Sequence, residues 1–197
     1  MTTANKVTIF RILLVPFFIA QVIYYVKTGN ELFRWLAIAC FGVAALSDGV
    51  DGFLARHFKQ RSELGAVLDP LADKILLVSG VVLLSLHNEP YLVGIPFWLT
   101  VTILSRDVLL LIGATVIHFV VGNVTVKPHL TGKAATVLQM TAVLWALFKF
   151  NAEWFYYVCI AAALLTGFSG LLYVCDGMRQ LAKHPASFAS KSEHDAK

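Results

Sequence analysis

Residues 47–74 read SDGVDGFLARHFKQRSELGAVLDPLADK. The stretch joins two long apolar runs and carries four aspartates where such runs ordinarily have none. Asp48 and Asp51 are three residues apart, Asp69 and Asp73 four apart, so on helices each pair shares a face. The segment between them, HFKQRSELG, is short and polar. It predicts two antiparallel neighbours, with one pair of acids near the end of the first helix and the other at the start of the next. The two acidic faces then meet. A charge inside a membrane span is expensive, so carboxylates in such a place point to function.

The rest of the composition asks for a bilayer. Of 197 residues, 58% are hydrophobic and 14% charged, and the mean hydropathy is +0.73. Soluble domains average about 45–50% apolar and about 25% charged. One core of this size cannot hide the excess. An ordinary soluble enzyme, a disordered chain and a disulfide-stapled secreted module are excluded. Cys40, Cys159 and Cys175 stand alone in apolar runs and the six histidines show no paired spacing; neither a zinc site nor a disulfide framework is expected. The opening MTTANKVTIFRILLVPFF has neither a signal-peptide cleavage site nor the composition of a transit peptide.

A spanning helix needs about 20 mostly apolar residues. Six stretches qualify: about 9–26, 32–56, 68–87, 96–121, 131–150 and 153–175. The predicted fold is all-α, a polytopic membrane protein of six transmembrane helices. Residues 1–180 form one membrane domain and 181–197 a polar tail. With the N-terminus inside, thirteen of the sixteen lysines and arginines fall on the inner side; only Lys27, Arg34 and Lys149 fall outside. This bias predicts that both termini face the cytoplasm or its organellar equivalent.

Four neighbouring carboxylates cannot all ionise unless protons or cations join them. All-oxygen ligands select hard cations such as Mg²⁺, Mn²⁺ or Ca²⁺, and two such ions suit four carboxylates in a phosphoryl-transfer centre. Helix capping accounts at most for one or two of the acids, with Asp69 near an N-terminus and its dipole. Gly49, Gly52, Ala55 and Gly65 leave room for a ligand or a close helix. Arg56 can hold a phosphate with its planar fork. Together these residues describe a diphosphate site at a membrane surface.

At these positions the chain resembles the CDP-alcohol phosphotransferase (CDP-alcohol phosphatidyltransferase) family, whose pattern is D-x2-D-G-x2-A-R, eight residues, G-x3-D-x3-D. Asp48, Asp51, Gly52, Ala55, Arg56, Gly65, Asp69 and Asp73 fill every place. The resemblance implies attack of an acceptor hydroxyl on the β-phosphorus of a CDP-linked lipid, usually CDP-diacylglycerol, with release of CMP. It implies that Asp48, Asp51, Asp69 and Asp73 hold two divalent cations, Mg²⁺ or Mn²⁺, and that Asp73 is the general base. Gly52, Ala55, Arg56 and Gly65 would line the CDP-lipid site, and a homodimer is implied. Asn5-Lys6-Val7-Thr8 with Arg11 and Pro16, the run LDPLADK at 68–74, and Gly132-Lys133 with Thr136 and Gln139 resemble the branch of phosphatidylglycerophosphate synthases and eukaryotic-type cardiolipin synthases. That likeness adds Asn5 and Thr8 to the CDP-lipid site. Arg11 reads equally as a snorkelling charge, and Gln139 as an interhelical hydrogen bond.

Arg106 and Asp107 lie in an apolar run. Adjacent helical residues do not face each other, so each is expected to need its own partner. Arg106, Lys127 and Lys133, expected at the inner ends of the fourth and fifth helices, are candidates for a second, acceptor phosphate. Glycerol 3-phosphate is the first choice of acceptor, and phosphatidylglycerol the alternative. Partners are the bilayer and these substrates, with no nucleic acid. The expected location is the bacterial inner membrane, or the mitochondrial inner membrane in a eukaryote, with the active site on the cytoplasmic or matrix side. The rival class is a cation-coupled transporter. Against it, the acids gather toward helix ends rather than at a midplane between inverted repeats.

Overall fold

The computed structural model describes residues 3–58, 63–86, 90–121 and 130–182. Six helices follow in order: α1 (Thr3–Thr28), α2 (Glu31–Phe58), α3 (Glu63–Ser85), α4 (Phe97–Val121), α5 (Leu130–Phe148) and α6 (Ala152–Ala182). Each expected apolar stretch corresponds to one of them, although the third, fourth and fifth stretches run one or two residues past a helix end, at 86–87, 96 and 149–150. The helices run longer than the stretches at several ends. His57, Phe58 and residues 63–65 are helical rather than loop, because strong helix formers such as Glu and Leu extend a helix beyond its apolar span. α6 likewise continues two residues past the expected start of the polar tail. Among the described residues, three helical segments are long and apolar enough to cross a membrane: Ile9–Thr28, Leu130–Phe148 and Ala152–Arg179.

The chain forms two compact units, one of Met1–Thr100 with Gln139–Cys159 and the other of Val101–Leu138 with Ile160–Lys197. In the first, α1 packs on α2 and α3. Its buried face is Arg11, Val15, Phe18, Val22 and Tyr25, spaced four, three, four and three as one helical stripe requires. α2 answers with Ala37, Phe41 and Ala44, and α3 with Leu76, Gly80 and Leu84. The Phe18 and Phe41 rings meet at 5.6 Å, and Cys40 Sγ donates to the Leu14 carbonyl at 3.3 Å. A Cβ on Gly80 would stand 3.1 Å from Val143 Cγ1, so this glycine lets α5 approach α3 closely.

Chain reversals gather at one end of this unit. Gly29 ends α1 at φ 67°, the left-handed conformation that glycine adopts without cost, and its N–H donates to the Tyr25 carbonyl. Tyr25 OH donates to Glu31 Oε1 at 3.2 Å, and Lys149 Nζ donates to the same oxygen at 3.1 Å. Arg34 also pairs with Glu31. The hydrogen bond from Lys149 holds the Glu31 carboxyl below its ordinary range. Lys149 itself is left-handed, at φ 56°. It closes α5 with its N–H on the Ala146 carbonyl and that of Phe150 on the Trp145 carbonyl, a Schellman arrangement made without glycine.

A Cβ on Gly29 would fall 2.7 Å from Tyr91 Cε1. Gly29→Ala therefore meets two separate obstacles, the left-handed backbone, worth about 1–2 kcal/mol, and the Tyr91 ring. Thermal melts in detergent should show Gly29→Ala destabilised, with Tyr91→Ala restoring the steric part and leaving the backbone part. Full recovery in the double variant would mean that the left-handed conformation carries no cost here.

Candidate functional site

The backbone places the four aspartate positions in two level pairs. α2 and α3 are joined across residues 59–62. Asp48 and Asp73 each stand ten residues from that connection, while Asp51 and Asp69 stand seven and six away. At 1.5 Å per residue these levels are about 15 Å and about 10 Å along their helices. The register also continues the packed stripes. Positions 48 and 51 extend the series 37, 41, 44 on α2, and positions 69 and 73 precede 76, 80 and 84 on α3.

One expectation is thereby corrected. Asp69 is not at a helix N-terminus, since α3 begins six residues earlier at Glu63. A macrodipole acts within the first turn, so capping does not account for this acid. The side chains of Asn5, Thr8, Asp48, Asp51, Gly52, Ala55, Arg56, Gly65, Asp69 and Asp73 lie outside the described residues, although the helices that carry them are described. Lys127 lies outside them altogether.

Arg11 is the residue that the sequence undervalued. Its side chain is 0% exposed, the largest fully buried side chain among the described residues. A snorkelling arginine keeps its head in water, so that reading is overturned. Arg11 has an interaction partner, as a buried guanidinium must. The signal was its spacing from Val15, Phe18, Val22 and Tyr25, which puts it on the buried stripe. Gln139, also buried and partnered, belongs to the same unit, as an interhelical hydrogen-bonding residue would.

In the second unit the polar focus is Arg106. It does not lie at the end of α4, which continues from Arg106 to Val121. Instead its guanidinium comes level with the first turn of α5. Nη1 donates to Asp107 Oδ1 at 2.9 Å and Nη2 to Ser169 Oγ at 3.2 Å. Arg106 and Asp107 thus meet each other, against the expectation for adjacent residues, although each also has a further partner. Adjacent Cβ atoms do diverge, but a long arginine stem can fold its guanidinium back to the neighbouring carboxylate. Tyr173 presents its ring 5.8 Å below the guanidinium, a cation–π distance.

Three polar groups converge on Gly132. A Cβ there would lie 3.3 Å from Arg106 Nη2, Ser169 Oγ and Tyr173 OH alike, and one on Gly170 would lie 3.3 Å from Arg106 Cγ. The two glycines make room for the buried arginine. Arg106 Nε is buried without a hydrogen-bond partner among the described residues. Lys133, next to Gly132, is exposed. Ser169 and Tyr173 were not among the residues singled out from sequence. They fall one turn apart on α6, a spacing common to every helix, and carried no signal of their own.

Comparison with known proteins agrees with the motif. A family model described as CDP-alcohol phosphatidyltransferase matches residues 1–168. The chain is 35% identical over 171 residues to the CDP-diacylglycerol–glycerol-3-phosphate 3-phosphatidyltransferase of Shigella flexneri serotype 5b (strain 8401), covering 85% of this chain and 90% of that relative. It is 34% identical, with the same coverage, to the protein of that name from Escherichia coli (strain K12). With its aspartate positions paired along α2 and α3 and with relatives matched over nearly their full length, the chain belongs to the CDP-alcohol phosphatidyltransferase family.

Proposed function

We propose that the protein transfers the phosphatidyl group of CDP-diacylglycerol to glycerol 3-phosphate and releases CMP, as an integral membrane enzyme of six spanning helices. The single observation that carries this reading is the complete aspartate pattern set at matching levels on α2 and α3. The names of the relatives support the donor and the acceptor. Residues 1–180 act as one catalytic domain, an assignment supported by a family match that spans 1–168.

An all-carboxylate donor set on two facing helices fits hard divalent cations, Mg²⁺ or Mn²⁺. In this reading Asp48, Asp51, Asp69 and Asp73 hold two such ions, which supply charge neutralisation at the diphosphate. The chain's own groups do the rest. Arg56 binds a phosphate oxygen of the donor, while Gly52, Ala55 and Gly65, together with Asn5 and Thr8, shape the cleft for the CDP-lipid. Asp73 accepts the proton of the acceptor's primary hydroxyl. That oxygen then bonds to the β-phosphorus, and the bond from this phosphorus to the bridging oxygen breaks with CMP as leaving group. Arg106, Lys127 and Lys133 receive the acceptor's phosphate, with Ser169 and Tyr173 as neighbouring donors. The active site and both termini face the cytoplasm, or the matrix in a mitochondrion, and the enzyme works as a homodimer.

The decisive assay offers labelled CDP-diacylglycerol with glycerol 3-phosphate and, separately, with phosphatidylglycerol. Product should form with glycerol 3-phosphate and require a divalent cation. Product only with phosphatidylglycerol would make the enzyme a cardiolipin synthase, and CMP-independent cation flux would make it a transporter.

Variants separate the roles. A general base contributes about 10²–10⁴-fold, so Asp73→Asn should lower kcat by that order while metal-dependent thermal stabilisation by CDP-diacylglycerol survives. Asp48→Asn and Asp69→Asn should lose that stabilisation at low Mg²⁺. Turnover near wild type in Asp73→Asn would dismiss it as the base.

At the acceptor end, Lys133→Ala and Arg106→Gln should raise KM for glycerol 3-phosphate far more than for CDP-diacylglycerol. Ser169→Ala leaves a buried guanidinium N–H unpaired and should cost about 1–3 kcal/mol of stability. An unchanged KM in Arg106→Gln would reduce Arg106 to an internal ion pair with Asp107.

A further inference from the structure

All four tryptophans of the chain, Trp35, Trp98, Trp145 and Trp154, belong to the first unit. They occupy the first turns of α2, α4 and α6 and the last turn of α5. Contacts link them toward the end of the unit where Tyr25, Glu31 and Lys149 join: Trp35 to Phe148, Trp145 to Asn151, Trp98 to Tyr156, and Tyr25 to the Tyr91 carbonyl ahead of α4. The rings form linked sets. Trp35 stands edge-on to Phe148 at 6.2 Å, Phe148 stacks on Phe150 at 5.3 Å, and Trp145 meets Phe150 at 5.3 Å. Trp35, Trp98, Trp154 and Phe150 are exposed, so their size does not serve the core.

Exposed rings at one level, with polar atoms at the same level, match one environment. Trp145 Nε1 donates to the Asn151 carbonyl, and the Arg34 guanidinium lies 5.3 Å from the Trp35 ring. Two turns and more beyond Trp35 the exposed large side chains of α2 are aliphatic, Val43 and Leu46. An indole has an apolar body and one polar N–H, and it concentrates where hydrocarbon meets headgroups. Arginine and lysine suit the same layer because they reach lipid phosphates.

We infer that this end of the first unit is an interfacial anchor, a one-sided aromatic band seated in the headgroup layer of the leaflet opposite the aspartate site. Its partner is the phospholipid interface itself. The band fixes depth as well as side. From Trp35 to Asp48 and Asp51 along α2 is about 20–24 Å, against a hydrocarbon thickness of about 30 Å. With the rings at one boundary, the aspartate positions stand inside the opposite one, at the level of lipid glycerol and upper acyl chains. The inference rests on membrane insertion and is independent of the reaction catalysed.

Because every tryptophan lies in the band, the intrinsic emission of the wild-type protein reports on it alone. In proteoliposomes made with brominated lipids, quenching should be strongest with bromine near the glycerol end of the acyl chain and weakest near the terminal methyl. In sealed vesicles sorted by N-terminal tag protection, external iodide should quench emission where the N-terminus is enclosed and spare it where the N-terminus is outside. Strongest quenching by methyl-end bromine, or equal iodide quenching in both orientations, would overturn the band. A ruler variant guards against a false match. Trp35→Phe with Val43→Trp moves one ring about 12 Å along α2, onto an exposed position, and should shift part of the quenching to deeper bromines. No shift would mean that α2 does not cross the bilayer as inferred. Loss of phosphatidyl transfer in a catalytic variant would leave all these readouts untouched.

Discussion

The structure depends on the placing of charge on helix faces that otherwise belong to the core. Along α1 the stripe of Val15, Phe18, Val22 and Tyr25 is continued by Arg11, fully buried. Along α2 the stripe of Ala37, Phe41 and Ala44 is continued by positions 48 and 51, and α3 reaches Leu76 through positions 69 and 73. Burying an uncompensated charge is prohibitively costly, so a three-helix packing of this kind is viable only if opposite charge gathers at the same end. In the proposed reading Arg11 and divalent cations would together balance the aspartates at positions 48, 51, 69 and 73.

This arrangement explains why so much was legible from sequence. Helix count and approximate span follow from apolar runs whose length is set by a bilayer. The aspartates announced themselves because carboxylates have no bland place in such runs. What sequence could not show was tertiary. Arg11 and a snorkelling arginine look alike in a string; only the packing of α1 against α2 and α3 distinguishes them. The Arg106–Asp107 pair was misjudged because the rule for adjacent residues concerns Cβ directions, and a guanidinium acts several bonds away. Ser169 and Tyr173 became visible only when α6 was set beside α4 and α5 in the second unit.

The same unit that carries the aspartates is braced at its far end. Two left-handed residues, Gly29 and Lys149, close helices there, and Glu31 ties Tyr25, Arg34 and Lys149 together. A lysine in the left-handed region is strained by comparison with glycine. Its ammonium gains a carboxylate and the Tyr25 ring, 5.1 Å away, contacts that a glycine would forgo. Rigidity at this end matters for the other because α2 and α3 are continuous between them. A helix held at one end keeps its register along its length, and register decides which face positions 48, 51, 69 and 73 present.

Arg106 illustrates a different use of charge. Asp107 already takes one side of its guanidinium, and Ser169 a second donor. In the proposed reading a phosphate approaching this group would therefore meet a guanidinium whose charge is largely offset, rather than a bare cation. Such a site gains little from long-range attraction, which Lys133 on the surface is better placed to supply. Its geometry is tightly set, because Arg106 Nη2, Ser169 Oγ and Tyr173 OH all stand 3.3 Å from where a Cβ on Gly132 would be, too close to admit a side chain. In the proposed reading the acceptor's phosphate would then be drawn chiefly by the exposed Lys133, while the buried Arg106 keeps α4, α5 and α6 in register beside it.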